Sequence, residues 1–134
     1  FHIPEVRGPL VTGKSAALTT EAALELSRRS KILLNVHQET SYFEWHRIVM
    51  HGIWQKTLVV SEPCFRVPGF KPGEHYLEYP LEQIPAAIDR LLGTDEGARQ
   101  AEEVREAGYA LLRERFDLSR IMGGFLERIA EADR

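Results

Sequence analysis

The 134 residues, with 43% hydrophobic and 28% charged side chains, amount to one domain's worth of ordinary globular sequence, which excludes a disordered polymer and a multidomain enzyme within these limits. Seventeen Lys plus Arg stand against 20 Asp plus Glu, a net charge of −3, so no basic excess points to nucleic acid or to an anionic membrane surface. The apolar runs fall far short of the roughly 20 residues of a bilayer span, and the single cysteine, Cys64, cannot form an intrachain disulfide.

In chain order, residues 1–18 carry Pro4, Gly8, Pro9 and Gly13 and read as a poorly defined lead-in, a strand fragment and an irregular connection. Thr19 or Thr20 caps a helix over residues 21–29, whose last turn holds Arg28 and Arg29 against the negative end of the dipole. Residues 31–37 and 57–61 are short, nearly continuous apolar runs, the mark of strands buried on both faces. Residues 42–55 between them place Phe43, Ile48, Val49 and Trp54 at helical spacing. A Pro- and Gly-rich loop over 63–73 leads to a third strand over 75–79. Leu81, Ile84, Ile88, Leu91 and Leu92 mark an amphipathic helix that Gly93 stops. A long helix over 98–116 turns Ala101, Val104, Ala107, Leu111 and Leu112 inward. Asp117 caps a last helix over 118–132, which Gly123 and Gly124 are expected to bend or thin.

Buried strands alternating with helices predict an α/β fold, a parallel sheet with flanking helices. Ligands of such sheets bind outside the carboxyl ends of the strands. The loops 37–43, 62–65 and 79–80 are therefore the expected site. An exposed strand edge on so small a sheet predicts association into a homo-dimer.

Several residue groups could carry chemistry. Gly8 to Ser15 matches the phosphate-cradling pattern G-x-x-x-x-G-K-[ST]. The pattern normally leaves a buried strand and opens a helix at once, and β-branched Val11 resists the positive φ of a phosphate nest. The loop from His37 runs straight into a helix whose free N–H groups suit a diphosphate, and Ser41 with Glu44 forms a capping box there. Glu44, Arg47 and His51 follow at spacings of three and four and share one helical face. A metal cluster of His37, Glu39, His46 and His51 is disfavoured, because no pair has the His-x-x-x-His spacing and His46 and His51 are five apart. Cys64, in a proline-flanked loop without a cysteine partner, is not an expected nucleophile.

The order Ser30-Lys31-Ile32-Leu33-Leu34-Asn35-Val36-His37, Glu44 to Arg47, Leu58-Val59-Val60-Ser61-Glu62 and Pro72-Gly73-Glu74-His75-Tyr76-Leu77-Glu78-Tyr79 resembles the C-terminal, donor-binding domain of GT-B glycosyltransferases. The bacterial group similar to the spore-maturation protein CgeB comes nearest. The resemblance spans residues 19–129. It implies that residues 1–134 are a single domain, the Rossmann-like half of a GT-B fold, holding a nucleotide-diphospho-sugar donor for transfer to an acceptor. It places His37, Ser41, Glu44, Arg47, His51, Glu62 and Glu74 around the donor, with Arg47 near the diphosphate and Glu62 and Glu74 near the sugar, and assigns no catalytic residue. No metal or other cofactor is required under this reading, since helix dipoles and basic side chains stabilise the leaving diphosphate. The acceptor and the base belong to an N-terminal domain of the same protein, so the chain alone is expected to be inactive. Counted back from Ser61, His51 stands where the family keeps a ribose-binding acid and Lys56 where it keeps glycine. Counted from Arg47, the chain carries one extra residue. The first residue is Phe1 rather than Met, so a longer protein is expected, and the lack of a charged-then-apolar leader predicts the cytoplasm. The alternatives are a non-catalytic α/β binding or scaffolding module, and a nucleotide-binding protein that uses Lys14 and Ser15 of the Gly8–Ser15 loop.

Overall fold

The computed structural model describes residues 18–37, 44–64 and 67–132. The lead-in over 1–17 with its Gly8-to-Ser15 pattern, and the loop residues Glu39 and Ser41, lie outside the described residues.

Helix α1, Thr20–Arg29, starts at the expected cap, where the Thr19 hydroxyl accepts from the Ala22 N–H at 3.2 Å. Its far end is tied to the sheet by the Thr57 hydroxyl, which donates to the Ser27 carbonyl at 2.6 Å. Three strands follow, β1 (Ile32–Asn35), β2 (Leu58–Ser61) and β3 (Leu77–Glu78). They form one parallel sheet in the order β1-β2-β3, with Asn35 level with Ser61 and Ser61 level with Glu78. The α/β class and the parallel sheet are as the sequence predicts.

Strand β2 is buried along its whole length, and the alternation of a strand divides its side chains between two faces. Val59 packs with Ile48, Val49, Ile53 and Leu112 on one face. Leu58 and Val60 pack with Leu77, Ile84, Leu91 and Val104 on the other. Each such aliphatic side chain contributes roughly 1.5–3 kcal/mol by leaving water. Strand β1 departs from expectation. Leu34 is 45% and Val36 39% exposed, because β1 is the sheet edge among the described residues and only β2 pairs with it.

A 3-10 turn, Leu81–Gln83, opens α2, Ile84–Gly93. Helix α3, Asp95–Arg115, begins earlier than the apolar pattern suggests, because the Thr94 hydroxyl caps it by accepting from the Gly97 N–H at 2.9 Å. Ala107 is exposed and Gly108 takes the inward position. A Cβ at Gly108 would stand 2.5 Å from the His75 carbonyl oxygen, so α3 crosses the β3 lead-in at a distance only glycine permits. Helix α4, Leu118–Ala132, starts at Asp117, whose carboxylate accepts from the Arg120 N–H at 3.0 Å. It runs as one helix through Gly123 and Gly124, and its apolar face is exposed among the described residues. No helix among the described residues is long and apolar enough to cross a membrane.

Candidate functional site at the carboxyl ends of the strands

The last residues of β1 and β2, Asn35 and Ser61, are polar yet buried and face each other in register. Buried polar groups persist only when hydrogen-bonded, and these two begin a connected network. Asn35 Nδ2 donates to Ser61 Oγ at 3.1 Å, and Ser61 Oγ donates to the Glu62 carbonyl at 2.7 Å. Just beyond β1 the His37 backbone N–H donates to Glu62 Oε1, and His37 Nδ1 lies 3.0 Å from the same oxygen. One carboxylate thereby fixes both the chain leaving β1 and the face of the imidazole. His37 Nε2 lies 3.1 Å from Asn35 Nδ2 and 3.4 Å from Glu44 Oε1. The His37 side chain is 2% exposed, Glu44 8% and Glu62 17%. Arg47, at 58% exposure, reaches inward with Nε 3.7 Å from Glu44 Oε2.

The result is a buried imidazole between two carboxylates, with a guanidinium at the rim and the strand ends beneath. Such a group joins carboxylate acceptors to a planar cation at the surface, the chemistry that suits hydroxyls and phosphate. Asn35 Oδ1 is buried with no hydrogen-bond partner among the described residues.

The helix that carries Glu44 and Arg47 toward this cluster is not the α-helix the periodicity suggests. From His46 to Gly52 it is a π-helix, followed by a 3-10 turn, Ile53–Gln55. The Ile53 N–H reaches the carbonyls of both Ile48 and Val49. Two constraints near its end shape it. A Cβ at Gly52 would stand 2.0 Å from Val59 Cγ2, so the backbone is pressed onto β2 where no side chain fits. Lys56 then turns the chain into β2 with φ 58° and ψ 42°, the left-handed region that favours glycine. Its ammonium is anchored 2.9 Å from Glu106 and lies over the Tyr109 ring. Trp54, expected inward, is half exposed, because the tight turn after Gly52 rotates it off the apolar face.

Of the predicted site residues, the structure brings together His37, Glu44, Arg47 and Glu62. Glu74 instead pairs with Lys71 at 3.3 Å in the exposed turn before β3. His51 packs against His46, ring centroids 4.7 Å apart, and burial, followed by the charge influence of His46 and Arg47, lowers its basicity. A second polar group lies at the end of β3. Glu78 Oε1 accepts from the Tyr76 hydroxyl at 2.9 Å, from Cys64 Sγ at 3.3 Å and from the Cys64 N–H at 3.4 Å. Burial and then the Glu78 carboxylate push the Cys64 thiol up to about 11, so it is protonated at neutral pH and a poor nucleophile. Asn35, Ser61, Tyr76 and Glu78 are the residues that motif reading misses. The signal for Asn35, Ser61 and Glu78 is a polar residue at the carboxyl end of each apolar strand, and Tyr76, before β3, joins through Glu78.

A hollow of about 690 Å³ runs beside β1 between Leu26, Leu34, Ile88 and Leu92. Its wall is mainly aliphatic, with Ser27, Ser30 and Lys31 its polar residues, whereas charged and hydrogen-bonding groups meet at the strand ends, which makes the strand-end cluster the better candidate. Comparison with protein-family models, with curated proteins and with solved structures returns no match.

Proposed function

We propose that this chain is the donor-binding half of a GT-B-type glycosyltransferase, with a Rossmann-like sheet that holds a nucleotide-diphospho-sugar at its carboxyl edge. The observation that carries the reading is the cluster of His37, Glu44, Glu62 and Asn35 at the ends of β1 and β2, the position where parallel α/β sheets bind ligands. Two features support it further. A π-turn takes up one residue more than an α-turn, which accommodates the extra residue that counting from Arg47 implies. Lys56 also adopts the left-handed conformation at the position where the family pattern has glycine.

In this reading Arg47 supplies a charge-assisted, bidentate contact to the diphosphate. Glu62, held by the His37 N–H, presents acceptors for sugar hydroxyls, and His37 keeps the two carboxylates apart and in place. Transfer stabilises charge on the leaving diphosphate through fixed donors, and an N-terminal domain of the same protein brings the acceptor and the base. Titration of the isotope-labelled chain with UDP, GDP and ADP tests the proposal. Resonance shifts at His37, Glu44, Arg47 and Glu62 are expected. Shifts confined to Lys14 and Ser15 would favour the phosphate-loop alternative, and no response to any nucleotide would favour a non-catalytic module.

A further inference from the structure

We propose that His46 and His51 form a two-imidazole site for a divalent late transition-metal ion, created by the π winding of their helix. The inference does not rest on the glycosyltransferase reading.

In an α-helix, residues five apart point about 140° away from each other, which is why this pair fails the usual His-x-x-x-His criterion. An i→i+5 hydrogen bond makes residue i+5 the axial neighbour of residue i, and the segment His46–Gly52 is wound that way. The two rings accordingly meet, with centroids 4.7 Å apart and planes inclined at 62°. A tetrahedral ion about 2.0–2.1 Å from one nitrogen of each ring sets imidazole centroids roughly 5 Å apart. The rings are already in edge contact, and rotation of the two side chains turns one nitrogen of each toward a shared ion.

His46 is exposed and His51 partly so, so an ion and its water ligands can reach the pair. Among the described residues no group of three or more His, Cys, Asp or Glu side chains is arranged for a metal, so solvent completes the coordination sphere. Imidazole ligands suit Zn²⁺, Ni²⁺ and Cu²⁺ over Mg²⁺ or Ca²⁺. Arg47, next to His46 on the helix, inclines toward Glu44 at 3.7 Å but still acts on His51, so an ion at the pair binds against that neighbouring charge. A bound ion would fasten the π form, since an α-wound segment separates the two ligands.

The test is calorimetric titration of the whole chain, stripped with a chelator, with ZnCl₂, alongside His46→Ala, His51→Ala and the control His75→Ala. The proposal expects one site in the parent chain, weakened roughly tenfold or more by each of the first two substitutions and unchanged by the third. Absence of binding in the parent, or a loss confined to one of the pair, to His75 or to none, overturns it. Cu²⁺ electron paramagnetic resonance of the parent chain gives a readout independent of how the variants fold. A signal from two imidazole nitrogens supports the site, and a signal from one or none contradicts it.

Discussion

Helix α3 and the π-helix were built from similar materials and came out differently. Both have apolar residues at helical spacing, and both bury a glycine against a neighbouring element, Gly108 on the His75 carbonyl and Gly52 on Val59. In α3 the Thr94 cap, the acidic first turn and the basic last turn all favour a regular α-helix. The π-helix has no side-chain cap, is confined between the Glu44 cluster and β2, and must fit Gly52 and Lys56 to the strand it feeds. Local propensity wins in α3 and tertiary constraint wins beside the site. Sites are where local rules give way to packing.

The contrast can be broken most severely at Gly52. Gly52→Ala drives a methyl into Val59 at the centre of the sheet and should destabilise the chain by about 3 kcal/mol, the upper range for an overpacked core, read from urea unfolding. The exit turn gives the next effect. Lys56→Gly relieves the left-handed strain while Lys56→Ala keeps it, and both lose the partly exposed pair with Glu106. The glycine variant should therefore be the more stable of the two by about 1–2 kcal/mol, and equal stabilities would mean that the turn is unstrained. On the α3 side, Thr94→Ala should cost about 1 kcal/mol by removing the cap, measured by thermal unfolding.

The smallest effect is a pH dependence at the β3 lead-in. Burial lowers the basicity of His75 by more than the Glu74 carboxylate raises it, and His75 Nδ1 accepts from the Lys71 N–H at 3.0 Å. The folded chain thus holds fewer protons than the unfolded one as pH falls from the ordinary value of 6.5 through the lowered one. Stability from this residue is complete above that window and is lost as the pH drops through it. The slope of Tm against pH below 6.5 should be shallower in His75→Gln, and an unchanged slope would assign the loss elsewhere.

What could be read in advance divides along the same line. The caps at Thr19 and Asp117, the first two strands and the outer helices were legible because cap chemistry and apolar period agree. The strand-end rule put His37 and Glu62 at the carboxyl ends of β1 and β2, where the structure brings them into contact. The exposure of Leu34 was not legible, since an apolar run does not say whether its strand is central or at an edge. The meeting of His46 with His51 was hidden by the assumption of 3.6 residues per turn. Asn35 and Ser61 could have been found as polar ends of apolar strands. That Glu74 pairs with Lys71, away from the cluster, depends on the turn before β3, which local sequence leaves open.

The central claim, that the strand-end cluster and Arg47 bind a diphosphate-bearing donor, is tested most directly by calorimetric titration of a nucleoside diphosphate into the parent chain and Arg47→Ala, with both melting temperatures measured in parallel. Arg47 is largely exposed and its pair with Glu44 is long, so its contribution to stability is small, about 0–1 kcal/mol. The account predicts a near-unchanged Tm together with a loss of about 1.5–3 kcal/mol in binding, the range for hydrogen bonds to charged groups, or roughly tenfold or more in Kd. Equal affinities in the two proteins, or no binding by the parent, would contradict it.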